Sequence, residues 1–493
     1  MMLRIPPAGD RWPVVEAAVV HVLGGRPCGA TPNPVPGVLV LAPSLEGANM
    51  AARRLRREGI PVALLPDEWP VAAAGGCVAV GTRGAAWAPL PVLGAVVVLD
   101  AHDQSYQGER APTWVATEVV AERAQREEVA CLVISPCPTL ELLAGGRQVT
   151  LSRQTERTGW PVTQVIDMRK EDPRAGLFSA PAVAHARQAG SGHQVLCVLN
   201  RKGRARLLGC AACRELVRCE SCQAALAEQP AQGSVVGRVA PTGTSFRTRV
   251  GVTSGSGSRA EAAAESALVC PRCGLERPVV CAACGATRLR TIRVGVTRAA
   301  EELSALAGAA VVEVTGTSMP GAGFDQALVM GTEAVLHRAT VGSVAAVVFL
   351  DFDQELLAPR YQAGEAALAL LARAARLVGG RGTGRVLVQT RLPDHDALSA
   401  AVRADPGRLA ASEVEMRRAL RLPPVSALAL VSGPAAEGWV ASLREATHPL
   451  EVLGPSDDRY LLRAPDHQIL CDALTAVPRP PGRLRVEVDP RRV

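Results

Sequence analysis

The sequence predicts an α/β protein of two doubly wound lobes, with a cysteine-rich insert in the second lobe and a small C-terminal α+β domain. Three observations carry this. Short continuous Val/Ile/Leu runs ending in small or polar residues alternate with helical patterns twice along the chain, as buried parallel strands do. Four Cys-x-x-Cys pairs interrupt the second series. Two further strand signals close the chain.

The first lobe, residues 1–150, carries GVLVLAPS (37 to 44), CVAVGTR (77 to 83), GAVVVLD (94 to 100) and ACLVISP (130 to 136), with the helical LEGANMAARRLRREG after the first. Residues 151–209 form a linker and the start of the second lobe. That lobe runs through HQVLCVLNRKG (193 to 203), then AAVVEVTG (309 to 316), QALVMGTEA (326 to 334) and SVAAVVFLDFD (343 to 353), its remainder spanning 291–405. Two similar lobes suggest a RecA-like pair of the P-loop-helicase kind, with chemistry in the cleft at the carboxyl ends of the strands. The insert occupies 210–290, and its Ala/Gly/Ser/Thr-rich middle, 227 to 265, reads as a flexible loop. VLGPSDDRYLLR (452 to 463) and RLRVEVDP (483 to 490) give the tail, 406–493, a sheet of its own.

Composition narrows the function classes. At 493 residues and 48% hydrophobic the chain supports two or three buried cores. No apolar run approaches the roughly 18 residues of a membrane span, and MMLRIPPAGDRW has no signal-peptide pattern, so a cytoplasmic, nucleoid-associated protein with no membrane contact is expected. Net charge is +7, but residues 201 to 300 hold sixteen Arg or Lys against six Glu and no Asp, a local balance of +10. Basicity concentrated in one segment is the footprint of a nucleic-acid contact. With fourteen aromatic residues in the whole chain, a continuous base-stacking groove is not expected.

Fourteen cysteines in a reducing compartment point to metal ligands. The pairs are Cys210/Cys213, Cys219/Cys222, Cys270/Cys273 and Cys281/Cys284. Two thiolates two residues apart can turn onto one zinc at about 2.3 Å, and two such knuckles complete its tetrahedron. Eight ligands make two zinc ions per chain, in closed sites that organise the fold and do not catalyse. Spacing alone allows three pairings of the knuckles. Cys28, Cys77, Cys131, Cys137, Cys197 and Cys471 are scattered and read as small core residues. Rigid knuckles would let flanking cations present fixed donors to phosphate. The DNA-binding candidates are Arg201, Lys202, Arg204, Arg206, Arg214, Arg218, Arg272, Arg288 and Arg290.

Two lobes with four knuckles early in the second resemble the primosomal replication-restart family, PriA. VGTRGAAWAPLPVLGAVVVLDAHDQSY resembles that family's GTRSA-to-DEEH segment, ISPCPTLE its SATP-type motif and LDFDQELLAPRYQAGE its Asp-x-Asp segment. MRRALRLPP (416 to 424) and VEVDP (486 to 490) resemble its C-terminal signatures. The resemblance implies that Cys210, Cys213, Cys281 and Cys284 share one zinc and Cys219, Cys222, Cys270 and Cys273 the other. It implies binding of forked or branched DNA at abandoned replication forks, primosome and helicase-loading partners, and ATP-driven unwinding.

The sequence departs from that family in its nucleotide motifs. GVTSGSGSR (251 to 259) imitates a phosphate loop but lacks its lysine and lies in the insert, and the chain's two lysines, Lys170 and Lys202, both follow Asp100. Ala101 stands where the catalytic glutamate belongs, and RLVGGRGTGR keeps Arg381 but loses the second arginine. The expectation is a degenerate nucleotide site at Asp100, His102 and Arg381, no catalytic residues, no dependable ATP binding and no enzyme activity. Family members carry a DNA-binding region before the first lobe, so either this chain lacks it or its start lies upstream of Met1. Two competing readings remain: an active 3′-5′ helicase with an unorthodox nucleotide site, and a zinc-ribbon adaptor for proteins alone. The first needs a substitute for the phosphate-loop lysine, and the second predicts no charge clustered at the knuckles.

Overall fold

The computed structural model describes residues 1–24, 35–108, 113–172, 176–190, 192–200, 208–221, 224–230, 266–270, 275–291, 296–314, 324–446 and 449–490. Of the 227–265 stretch read as a loop, Ala227–Pro230 is a strand, paired with Ser266–Val269, and the rest, with GVTSGSGSR, lies outside them. The chain divides into two compact units, Met1–Arg201 with Val294–Val493, and Lys202–Arg293.

The first unit opens with a seven-stranded sheet of β1 (Met2–Arg4), β2 (Gly37–Leu41), β3 (Val62–Leu64), β4 (Val78–Gly81), β5 (Leu93–Val98), β6 (Ala130–Ser135) and β7 (Gln148–Thr150). Its order is β3-β4-β2-β5-β6-β1-β7, with every pairing parallel. Both faces are covered: all five residues of β2 are buried, those pointing one way packing with Tyr106 and Val120 and those pointing the other with Trp12 and Leu55. Helix Leu45–Arg57 supplies part of the second layer. Ser44 caps it, its hydroxyl accepting from Gly47 N, and Ala48, Ala51, Ala52 and Leu55 form its buried stripe.

The second sheet begins with β8 (Val162–Asp167) and β9 (Gln194–Val198), and the chain then enters the cysteine unit. There β10 (Leu208–Cys210), β11 (Ala227–Pro230), β12 (Ser266–Val269), β13 (Glu276–Pro278) and β14 (Leu289–Thr291) form two small antiparallel sheets, β10-β14 and β11-β12-β13. The second sheet resumes with β15 (Val312–Val314), β16 (Leu328–Gly331), β17 (Val344–Phe349) and β18 (Arg385–Thr390), giving the parallel order β15-β16-β9-β17-β18-β8. A Cβ at Gly331 would stand 1.7 Å from the Val314 carbonyl oxygen, so only glycine fits there. Helix Ala363–Val378 packs across this sheet with twelve of its sixteen residues buried.

The C-terminal part is α+β. Strands β19 (Ala427–Ser432), β20 (Glu451–Ser456), β21 (Arg459–Ala464) and β22 (Arg485–Val488) form an antiparallel sheet in the order β20-β21-β19-β22. Helices Ala436–Glu445 and His467–Ala476 cover it, with Trp439, Tyr460 and Leu470 in the core.

Candidate functional site

The carboxyl end of β5 runs into Asp100, whose φ of 51° turns the chain sharply out of the sheet. Arg376 Nη1 reaches both Asp100 oxygens, at 2.7 and 2.6 Å, and Arg11 Nη1 bonds one of them. Burial alone would raise the Asp100 carboxyl; Arg376 and Arg11 outweigh it and hold the group well below the usual carboxylate range. The two arginines come from opposite sides. Arg11 closes the loop between β1 and helix Trp12–Val19, and Arg376 sits on helix Ala363–Val378 of the second lobe. One turn earlier on that helix, Arg373 Nη1 lies 3.5 Å from Asp103. Arg376 Nε also donates to the Pro7 carbonyl.

His102 turns inward to Ser135 at the end of β6, Nδ1 to Oγ being 3.0 Å. Burial lowers it to about 4, against the pull of Asp100 and Asp103, so the imidazole is neutral at pH 7. Arg381 is not part of this cluster: its side chain is exposed and its N–H donates to the Thr158 carbonyl. Sequence reasoning missed Arg11 and Arg376. The available signal was an arginine repeated inside an otherwise apolar helix, ALALLARAARLV.

A second junction gathers around Arg417, within the MRRALRLPP stretch, whose guanidinium is fully buried. It donates to Glu141 of the first lobe at 2.6 Å, to Glu365 of the second, and to the Pro423 carbonyl at 2.8 Å, and lies over the Tyr361 ring. Glu413 stands 3.5 Å from its Nε. Three carboxyl groups share one cation, so the cluster is short of positive charge. Burial, then Glu141, pushes Glu365 up to about 8 despite Arg417.

In the other unit the sulfur atoms of Cys210, Cys213, Cys281 and Cys284 all lie within 4.8 Å of one another. Cys210 to Cys284 is 3.5 Å and Cys213 to Cys281 is 3.6 Å. A zinc–sulfur tetrahedron with bonds of about 2.3 Å has edges near 3.8 Å, so the donor set fits zinc. Each knuckle turns the same way. The N–H of its first cysteine donates to the carbonyl five residues on: Cys210 to Glu215, Cys219 to Ala224, Cys270 to Leu275 and Cys281 to Ala286. Residue 285 is the glycine such a turn favours (φ 73°), whereas at the first knuckle Arg214 takes the left-handed conformation (φ 66°). Cys219 and Cys270 are buried in the small core with Leu208, Leu226 and Leu268; their partners Cys222 and Cys273 lie outside the described residues.

Of the basic candidates, Arg201, Lys202, Arg204, Arg206 and Arg272 lie outside the described residues, as does the Arg290 side chain. Arg288 is exposed, and Arg214 and Arg218 are half-buried. Among the described residues no helix is long and apolar enough to cross a membrane.

No family model matches the chain. It is 32% identical over 400 residues to the "Probable replication restart protein PriA" of Mycobacterium bovis, covering 77% of this chain and 56% of that one. It is 26% identical over 376 residues to the "Replication restart protein PriA" of Bacillus subtilis, covering 72% and 43%. The chain spans about half the length of these curated relatives. Solved structures to which it is similar include a DEAD box protein from Methanococcus jannaschii (TM-score 0.33, 9% identity, 85% of this chain and 86% of that one) and RecG bound to a three-way DNA junction (TM-score 0.41, 13% identity, 84% and 44%).

The expectation that the chain is not an enzyme is corrected here. It rested on residue types missing from nucleotide motifs, yet the relatives carry the name of a family whose resemblance implies ATP-driven unwinding. A motif gap does not show which side chain has taken the vacated role. Arg11, at the end of a strand–loop–helix turn, places a cation against Asp100. Nothing among the described residues marks the chain as non-enzymatic.

Proposed function

We propose that this chain, a relative of the replication restart proteins PriA, binds forked or branched DNA at abandoned replication forks and promotes primosome assembly and reloading of the replicative helicase. The observation that carries the reading is 32% identity over 400 residues, spread across 77% of the chain. The +10 segment around the knuckles supports a phosphate contact. In this reading residues 1–150 and 291–405 act as helicase-like lobes, the start of the second lying in 151–209. The unit at 210–290 holds two zinc ions, on Cys210, Cys213, Cys281 and Cys284, and on Cys219, Cys222, Cys270 and Cys273. Arg201, Lys202, Arg204, Arg206 and their neighbours then contact phosphates.

A fork-binding titration over a salt series tests this. Binding to a fork should fall steeply with salt, and alanine at Arg201, Lys202, Arg204 and Arg206 together should lower the log–log slope by about 0.7 to 0.9 per lost contact. Unchanged affinity and slope would move the DNA surface elsewhere; no fork binding by the intact chain would defeat the reading.

A second reading is favoured by the Arg11–Asp100 contact: an ATP-dependent helicase with an unorthodox nucleotide site, Arg11 acting in the lysine's place and Asp100 released from Arg376 to hold a metal. DNA-stimulated ATP hydrolysis that disappears in both Arg11→Ala and Asp100→Ala supports it. Hydrolysis unaffected by either variant removes it.

A further inference from the structure

The loop after β4 carries a feature that the cleft and the knuckles do not use. Trp87 ends the one-turn helix Arg83–Trp87, and its side chain is 56% exposed, the one exposed aromatic among the described residues. An exposed indole presents a flat π-face to solvent, the surface on which another ring can stack. The ring does not reach outward on a loose segment. Ala85 and Ala86 beside it are buried, Ala88 N–H donates to the Ala85 carbonyl, and Arg123 Nη1 donates to the Ala86 carbonyl at 2.6 Å. Trp114 meets it edge-on, 5.7 Å between centroids at 69°, which supports one edge of the indole without covering both faces.

Two guanidiniums lie beside the ring. The Arg83 guanidinium lies 5.5 Å from the Trp114 centroid and Nη1 donates to the Gln107 carbonyl. Arg83 and Arg123 each bond a neutral backbone oxygen, and among the described residues neither is paired with a carboxylate. A rigid, exposed aromatic face flanked by two uncompensated guanidiniums is complementary to a chain that alternates flat rings with anions.

We propose that Trp87 is a stacking platform for one unpaired base of single-stranded DNA, with Arg83 and Arg123 on the flanking phosphates. The inference rests on the DNA-binding reading above and deepens it, assigning the single-strand contact to the first lobe and not to the knuckles. Stacking is tolerant of sequence because every base has a π-face, so thymine and adenine tracts bind this position alike.

The test uses the full chain, oligo(dT) of about 15 nucleotides and a blunt duplex of the same length. Oligo(dT) should quench the intrinsic tryptophan emission. Trp87→Ala should weaken oligo(dT) binding about tenfold and remove most of the quench, Trp87→Phe should retain most of the affinity, and duplex binding should not change. Arg83→Ala should lower the salt slope for oligo(dT) by about 0.7. An unaltered melting midpoint in Trp87→Ala shows that the loss is not unfolding. Wild-type affinity for oligo(dT) in Trp87→Ala overturns the proposal while fork binding stands, and leaves the ring to a protein contact. A wild-type chain that binds neither fork nor oligo(dT) defeats the DNA-binding reading itself.

Discussion

At the scale of single residues, two buried carboxyls respond to pH in opposite senses. Asp100 is held ionised by Arg376 and Arg11. Its folded pKa is depressed, so its stabilisation is present above the unfolded value of about 3.9 and is lost as pH falls below it. Asp100→Asn should therefore melt lower than wild type at pH 7, the gap closing in acid. Arg376→Ala leaves the buried carboxylate with Arg11 alone; breaking a buried pair costs about 3–5 kcal/mol, which a lowered melting midpoint reads out. Glu365, pushed up to about 8, is the reverse case. Its contribution is full below an unfolded value of about 4.3 and is lost as pH rises through 8. Glu365→Gln should gain on wild type steadily between pH 5 and 8 in parallel thermal melts, and no change in the difference across that range would contradict the raised carboxyl.

At the scale of elements, the knuckles make the plainest case. The repeated turn, closed by one N–H to a carbonyl five residues on, holds two thiolates per knuckle at spacings that a metal then locks. On the two-zinc proposal, Cys210→Ser should lower bound zinc from two ions per chain to about one, measured by metal analysis, and loosen the unit Lys202–Arg293 while the main melting transition persists, because a structural metal stabilises what it directly ties. Arg214→Gly relieves a left-handed backbone and should stabilise that knuckle by up to about 1 kcal/mol, seen as slower zinc loss to a chelator. These elements were legible because Cys-x-x-Cys is a spacing code. The buried strands were legible too: GVLVL, VAVG, VVFL and QVLCV are continuous apolar runs that a doubly covered parallel strand demands. Met2–Arg4 and Gln148–Thr150 were not, since three residues carry too little pattern to distinguish a strand from a loop.

At the scale of the whole molecule, charged ties join the lobes and the C-terminal part beside the small apolar cluster of Tyr361, Leu422 and Leu428. Arg376 ties helix Ala363–Val378 to the first sheet, and Arg417 ties the helix Gly407–Leu420 to both lobes. Neither tie was readable beforehand. MRRALRLPP marked a position in a pattern without naming its partners, which lie 276 residues away in the case of Glu141. Reading the cleft by motif counted a lysine, a glutamate and an arginine as lost; the fold brings Arg11 and Arg376 to Asp100 from segments that no local spacing connects. Evolution then sees three distant sites as a single inherited character. Loss of Asp100 would leave two part-buried arginines without their shared counter-charge, so positions 11, 100 and 376 should drift together. In descendants of this chain the arginines at 11 and 376 should therefore vanish in the same branches that replace the aspartate.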